Sequence, residues 1–393
     1  MKRSLITGNL ITLLVALALL SLSLTGTAFS QAPLYDPTAH AMYTVLPPHS
    51  YAPNAVPAVP GVQLQQWTFD WTSSFDGEKF STVIVGTDPS KTNTTTTVNV
   101  GIIPIKMVYG SSNGNMTFDP NAAGEFGSMS TTQMINGSVI FKPLVDYVQG
   151  GTDLGKTQYE DAYQRGDFWG SVKKNTNYHL MLKTLIAPEQ TFNVPASEGN
   201  VISTSLAPDP VGTANINWFD EQLQAVMSKY SCSVRKEPCI GPNVLPLFVT
   251  YNVYLTSGGC CIGGYHSANS GAPGGQTYSY STSVAQFANG RAAFSQDVGA
   301  LAHELGEWIM DPFTENSSPC PSNGILEVGD PLENGPNFGD YPYTVNGFTY
   351  HPQDLVFITW FGAPASTSLD VWNGTTTDVV TFQNEVLNVC QTR

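Results

Sequence analysis

The sequence predicts an α+β protein in which a mixed, twisted sheet accompanies a helix bearing a His-Glu-x-x-Glu pattern. Three observations lead there: β-branched runs of strand length recur along the chain, amphipathic segments of helical period lie between them, and 36 Gly with 27 Pro cut the chain into short elements. At 41% hydrophobic and 12% charged residues the chain can bury a large core, which excludes a disordered or fibrous protein.

Residues 1–30 read as a secretory signal peptide, because Lys2 and Arg3 precede an apolar run from Leu10 to Leu24 and small residues follow. Residues 31–61 carry Pro33, Pro37, Pro47, Pro48, Pro53, Pro57 and Pro60, which forbid a continuous helix and suggest a Pro-rich linker or strap. A single domain is expected over 62–393. Within it, strands are expected at 82–85, 97–109, 178–185, 247–255 and 276–282, and helices at 157–172, 217–230 and 295–310.

A formal net charge of −15 argues against a nucleic-acid partner, which needs basic side chains against phosphate. After the leader no apolar run approaches the roughly 18 residues of a membrane span, so a secreted or cell-surface protein is expected rather than an integral one. The six cysteines all lie beyond the leader, and their even number in an exported chain suggests disulfides. Cys232 with Cys239 would close a short loop, whereas the adjacent Cys260 and Cys261 are expected to bond to different partners.

The chemistry concentrates between Asp297 and Pro312. At the helical period His303, Glu307 and Asp311 share a stripe roughly 80° wide, with Val298, Leu301, Leu305, Trp308 and Ile309 opposite. Gly299, Ala300 and Gly306 border that stripe, which suggests that something approaches the helix closely. A zinc hydrolase needs ligands at i and i+4 and a general base beside the first, roles that fall to His303, Glu307 and Glu304. Glu327 is the favoured third ligand. His266, Asp311, Asp330 and His351 are further candidates to bind the ion or to orient its ligands. The bland alternative is a solvated polar helix face with a hydrogen-bonded histidine.

At these residues the chain resembles a known family. The run HELGEWIMDP followed by EVGD, over 303–312 and 327–330, is similar to the helix and the acidic segment after it in the phosphate-induced, or exordium-like, secreted proteins. The CCIGGYHS segment (260–267) resembles the Cys/Gly/His loop before that helix, and TQYEDAYQRGDFW (157–169) is similar to segments of bacterial relatives. The resemblance covers mainly 247–330. It implies an extracellular, cell-wall or cell-surface setting and a zincin-like helix, without an established reaction.

The expected protein is therefore a zincin-like secreted hydrolase that holds about one Zn²⁺ per chain and acts on peptide bonds in a groove between the helix and an antiparallel edge strand. The rival is a non-catalytic extracellular protein with a structural metal site or a groove for a cell-wall polymer. A glycan-binding module, resting on exposed aromatics at Trp360 and Phe361, is a third reading.

Overall fold

The structure is a computed structural model; it describes residues 43–45, 63–203, 209–234, 239–270, 274–285, 294–320, 324–333, 339–369, 379–387 and 390. The leader and most of the Pro-rich segment fall outside these residues. The architecture is α+β.

The 15-residue Thr95–Tyr109 strand is the spine of the main sheet. It pairs in parallel with His179–Ile186, Gln190–Val194 and Val244–Tyr251. Val244–Tyr251 pairs in parallel with Thr277–Ser283, which runs antiparallel to Gly264–Ala268. The antiparallel strand expected before the helix is thus present, but it is not outermost. Tyr43–Val45, from the Pro-rich segment, adds in parallel outside it, with Val45 opposite His266.

The two faces of the sheet follow from side-chain alternation. Along Thr277–Ser283 (TYSYSTS), Tyr278 and Tyr280 turn to one face and Thr277, Ser279 and Ser281 to the other. On the tyrosine face lies the Ile216–Tyr230 helix, whose Asp220 accepts hydrogen bonds from Tyr265 and Tyr278 at 2.8 Å each and whose Phe219 ring stands 4.7 Å from that of Tyr280. Asn215 caps this helix by accepting from the amides of Asn217 and Trp218. The hydroxyl face receives the Gly299–Met310 helix, where Trp308 Nε1 donates to Thr277 Oγ1 at 3.0 Å.

Several elements depart from expectation for local reasons. The expected 247–255 strand is two strands, Val244–Tyr251 and Val253–Thr256, because Asn252 turns the chain at φ 55° and hands it to a smaller sheet. The expected 157–172 helix breaks at Phe168 into Tyr159–Asp167 and Trp169–Val172. The 295–310 helix starts at Gly299, because Asp297 is left-handed at φ 39° and its Oδ1 accepts from the Val298 amide.

Cysteines pair as Cys232–Cys239, Cys260–Cys261 and Cys320–Cys390. The expectation that Cys260 and Cys261 take different partners is wrong: their joining peptide is cis, the Cα atoms are 3.1 Å apart, and both side chains reach the same place. Phe361 is buried and Trp360 half-buried, their rings packed edge to face, so the exposed aromatics behind a glycan-binding reading are core. Among the described residues no helix is long and apolar enough to cross a membrane.

Asp354 offers a pH test of this packing. Burial pushes its carboxyl up to about 8, against the hydrogen bonds it receives from Thr381 and from the amides of Leu355 and Gln383. A carboxyl raised in the folded state keeps its proton where the unfolded chain has lost it. Its stabilising contribution is therefore complete below the unfolded value near ~4 and is lost as pH rises through about 8. Asp354→Asn should gain stability relative to wild type between about pH 5 and pH 8, read from urea midpoints. A difference independent of pH would refute the assignment.

Candidate metal centre

All twelve residues of the Gly299–Met310 helix are buried, so the stripe carrying His303 and Glu307 is no solvated face. Its small residues serve the chain itself. A Cβ on Gly306 would lie 2.5 Å from Leu355 Cδ1, and Gly299 abuts Asp340 and the His351 carbonyl. The helix ends at Met310 because Asp311 Oδ1 accepts from the amides of Glu315 and Asn316 and Pro312 follows. Asp311 thus leaves the helix that would have carried it along the stripe.

Three other segments close around the stripe: the Gly264–Ala268 strand with His266, the stretch from Leu326 to Asp330, and Gln353. His303 Nδ1 lies 2.5 Å from Gln353 Oε1, whose own amide donates to Gly329 O at 3.1 Å. That network assigns a proton to His303 Nδ1 and turns Nε2 the other way. His303 Nε2 faces Glu307 Oε1 at 3.0 Å and Asp330 Oδ1 at 3.7 Å. His266 repeats the arrangement. Its Nε2 meets the Asp311 carbonyl at 3.2 Å, so the proton belongs there, and its bare Nδ1 faces Glu304 Oε2 at 3.2 Å and Glu307 Oε2 at 3.8 Å.

Both imidazoles therefore commit their N–H to a carbonyl oxygen and turn a lone pair toward carboxylate oxygens. Such contacts repel unless a cation or a proton lies between. Glu304 Oε1, Asp311 Oδ2, both Glu327 oxygens and the hydroxyls of Ser279 and Ser281 are buried and receive no hydrogen bond, and Glu307 can give one to Glu327 only by sharing a proton. Donor atoms of His303, Glu304 and Glu307 lie within 4.8 Å of one another, as do those of His266, Glu307 and Glu327. The residues fit a divalent metal: imidazole and carboxylate donors, with the second nitrogen of each histidine held by a carbonyl.

The electrostatics describe the protonated centre. At Glu307 burial acts upward, but the neighbouring His303 outweighs it and holds the carboxyl at about 2. At His303 burial acts downward, and Glu307 overrides it to raise the imidazole. His266 is pushed down to about 4 by burial. Burial first, and then the Glu307 charge, push Glu304 and Glu327 well above the carboxylate range; burial does the same at Asp311. His303 and Glu307 thus favour each other's charged forms, while burial favours the protonated forms of Glu304, Asp311 and Glu327.

Of the candidates read from sequence, the fold brings His303, Glu304, Glu307, Glu327 and His266 together, with Asp330 at the edge, its side chain 28% exposed. Glu327 groups with His266 and Glu307 rather than with His303. Asp311 contributes its carbonyl to His266. His351 stands apart at the helix start, its Nδ1 2.6 Å from Asp297 Oδ2. The sequence reading missed Gln353, Ser279, Ser281, Gly264 and Gly329. The alternating TYSYSTS strand signals a hydroxyl-lined face, and the glycines signal close approach: a Cβ on Gly329 would strike the His303 ring.

Gly264 tests the placement of Glu304, since a Cβ there would lie 2.7 Å from both Cγ and Oε1 of Glu304. Gly264→Ala should push Glu304 aside and cost about 1–3 kcal/mol of stability, read from urea midpoints. A variant as stable as wild type would show that Glu304 does not occupy that space.

No protein-family model matches the chain, and neither a curated protein nor a solved structure matches it. The functional reading therefore rests on the residues of the centre.

Proposed function

We propose that the chain is a secreted, zinc-dependent hydrolase of zincin-like layout that acts on peptide bonds. The observation that carries this reading is the pair of imidazole nitrogens facing buried glutamate oxygens on a His-Glu-x-x-Glu helix. His303 and Glu307 would hold the ion with a further carboxylate, Glu327 or Asp330. Zinc, when bound there, supplies Lewis acidity toward a scissile carbonyl and toward water.

Glu304 is the proposed proton carrier. Its Oε1 points into the chamber without a donor, and its Oε2 lies beside His266. In that role it accepts a proton from the attacking water and returns it to the leaving amine. The peptide class is supported by the sheet margin above the helix, which takes up an extended segment where Tyr43–Val45 pairs with Gly264–Ala268. Export is supported by the leader-like start and by the three disulfides, and the exordium-like resemblance supports an extracellular setting.

One observation favours the non-catalytic rival. His266, His303, Glu304, Glu307 and Glu327 are all at most 4% exposed, the enclosure of a structural site. Glu304→Gln separates the two. For a hydrolase the variant should keep its metal and fold and lose at least ~100-fold in cleavage of an unstructured protein substrate, because an amide cannot accept the proton. Zinc-loaded wild type that cleaves nothing across acid to neutral pH would favour the structural site, and equal cleavage by both would remove Glu304 from the mechanism.

A further inference from the structure

We infer that the centre is built for a pair of divalent cations bridged by Glu307, an inference that rests on the metal-centre reading above and extends it. The two oxygens of Glu307 face different histidines: Oε1 lies 3.0 Å from His303 Nε2, and Oε2 lies 3.8 Å from His266 Nδ1. Each junction sets a histidine nitrogen against a Glu307 oxygen, and each has a carboxylate of its own. Asp330 Oδ1 stands 3.7 Å from His303 Nε2, while Glu327 groups with His266 and Glu307. Glu304 lies between the junctions, in donor range of His303 and with Oε2 3.2 Å from His266 Nδ1.

A single ion held at one junction does not serve the other. Placed between His303 and Glu307 Oε1, it leaves His266 Nδ1 facing Glu304 and Glu307 across a gap with no positive charge. A proton shared between Glu307 and Glu327 serves one oxygen of each, but Glu304 Oε1 and Asp311 Oδ2 still receive no hydrogen bond. Charge points the same way. Glu304, Glu307, Asp311 and Glu327 are each at most 4% exposed, so one divalent ion would offset only half the charge of their ionised forms. A carboxylate bridging cations with one histidine apiece is the arrangement of two-metal hydrolytic and carboxylate-bridged centres. Imidazole with carboxylates suits Zn²⁺, Mn²⁺ or Fe²⁺.

The test counts ions. The full mature chain is stripped with a chelator, reloaded with Zn²⁺, dialysed and analysed for metal per chain. About two ions are expected in wild type and about one in Glu327→Gln, a nearly isosteric change whose folding is checked by its melting temperature. About one ion in wild type overturns the second position and leaves a mononuclear centre standing; none overturns the metal reading as a whole. Two ions retained by folded Glu327→Gln also overturn the second position as assigned. Mn²⁺ loading gives a readout independent of activity, since bridged ions show an exchange-coupled paramagnetic resonance spectrum. The spectrum of magnetically isolated Mn²⁺ at full loading would overturn the Glu307 bridge.

Discussion

The structure turns on acceptors facing acceptors. His303 and His266 each give their only N–H to a carbonyl and present the other nitrogen to glutamate oxygens in a chamber closed to solvent. Burying an unpaired carboxylate costs several kcal/mol, and the lone-pair contacts add to that cost. A fold that assembles four buried carboxylates around two imidazoles needs positive charge there, whether from protons or from metal. Gln353 is pinned by Gly329 O so that its carbonyl meets His303, and the Asp311 carbonyl is positioned by the turn that stops the helix. The surrounding elements thus fix which nitrogen of each ring turns toward the glutamates.

The sheet supplies the complementary surface. Small side chains at Thr277, Ser279 and Ser281 leave room on one face for the helix and its glutamates, while Tyr278 and Tyr280 fill the opposite core. The same alternation in the next strand turns His266 toward the helix and Tyr265 toward Asp220. Shifting Thr277–Ser283 by one residue would exchange its tyrosines with its hydroxyl residues, and shifting Gly264–Ala268 would exchange Tyr265 with His266, so the centre and the core enforce one register. Gly264 is part of this fit, since the Glu304 side chain occupies the space where its Cβ would stand.

Much of this was legible because it follows short-range rules. The helical period around His303, the strand character of 97–109 and the Ile216–Tyr230 helix are local signals, and each element lies within a few residues of its expected place. Elements failed where one residue redirects the chain: Asn252 and Asp297 are left-handed, and no hydrophobic period encodes that. The site was legible on the helix, where His303, Glu304 and Glu307 are neighbours in sequence. His266 and Glu327 were also named from sequence, but Gln353 and Ser279 were not, because they reach the site only through tertiary folding and carry no metal-ligand identity. The small residues beside the stripe were a true signal with the wrong partner, since Leu355 packs against Gly306.

Enclosure and reactivity place opposite demands on such a centre. Low exposure strengthens every charge interaction in the chamber and keeps its carboxylates dependent on a cation, yet a substrate must reach it. The Gly264–Ala268 strand, which carries His266, has its outer edge paired with Tyr43–Val45. The side chain in the cluster that reaches solvent is Asp330, on the short turn Asp330–Leu332. In the proposed hydrolase the retention of metal and the admission of substrate therefore fall to different parts of the chain. Retention belongs to the buried helix and the strand beside it, which are held by the core. Admission falls on the side of Asp330, whose side chain is 28% exposed.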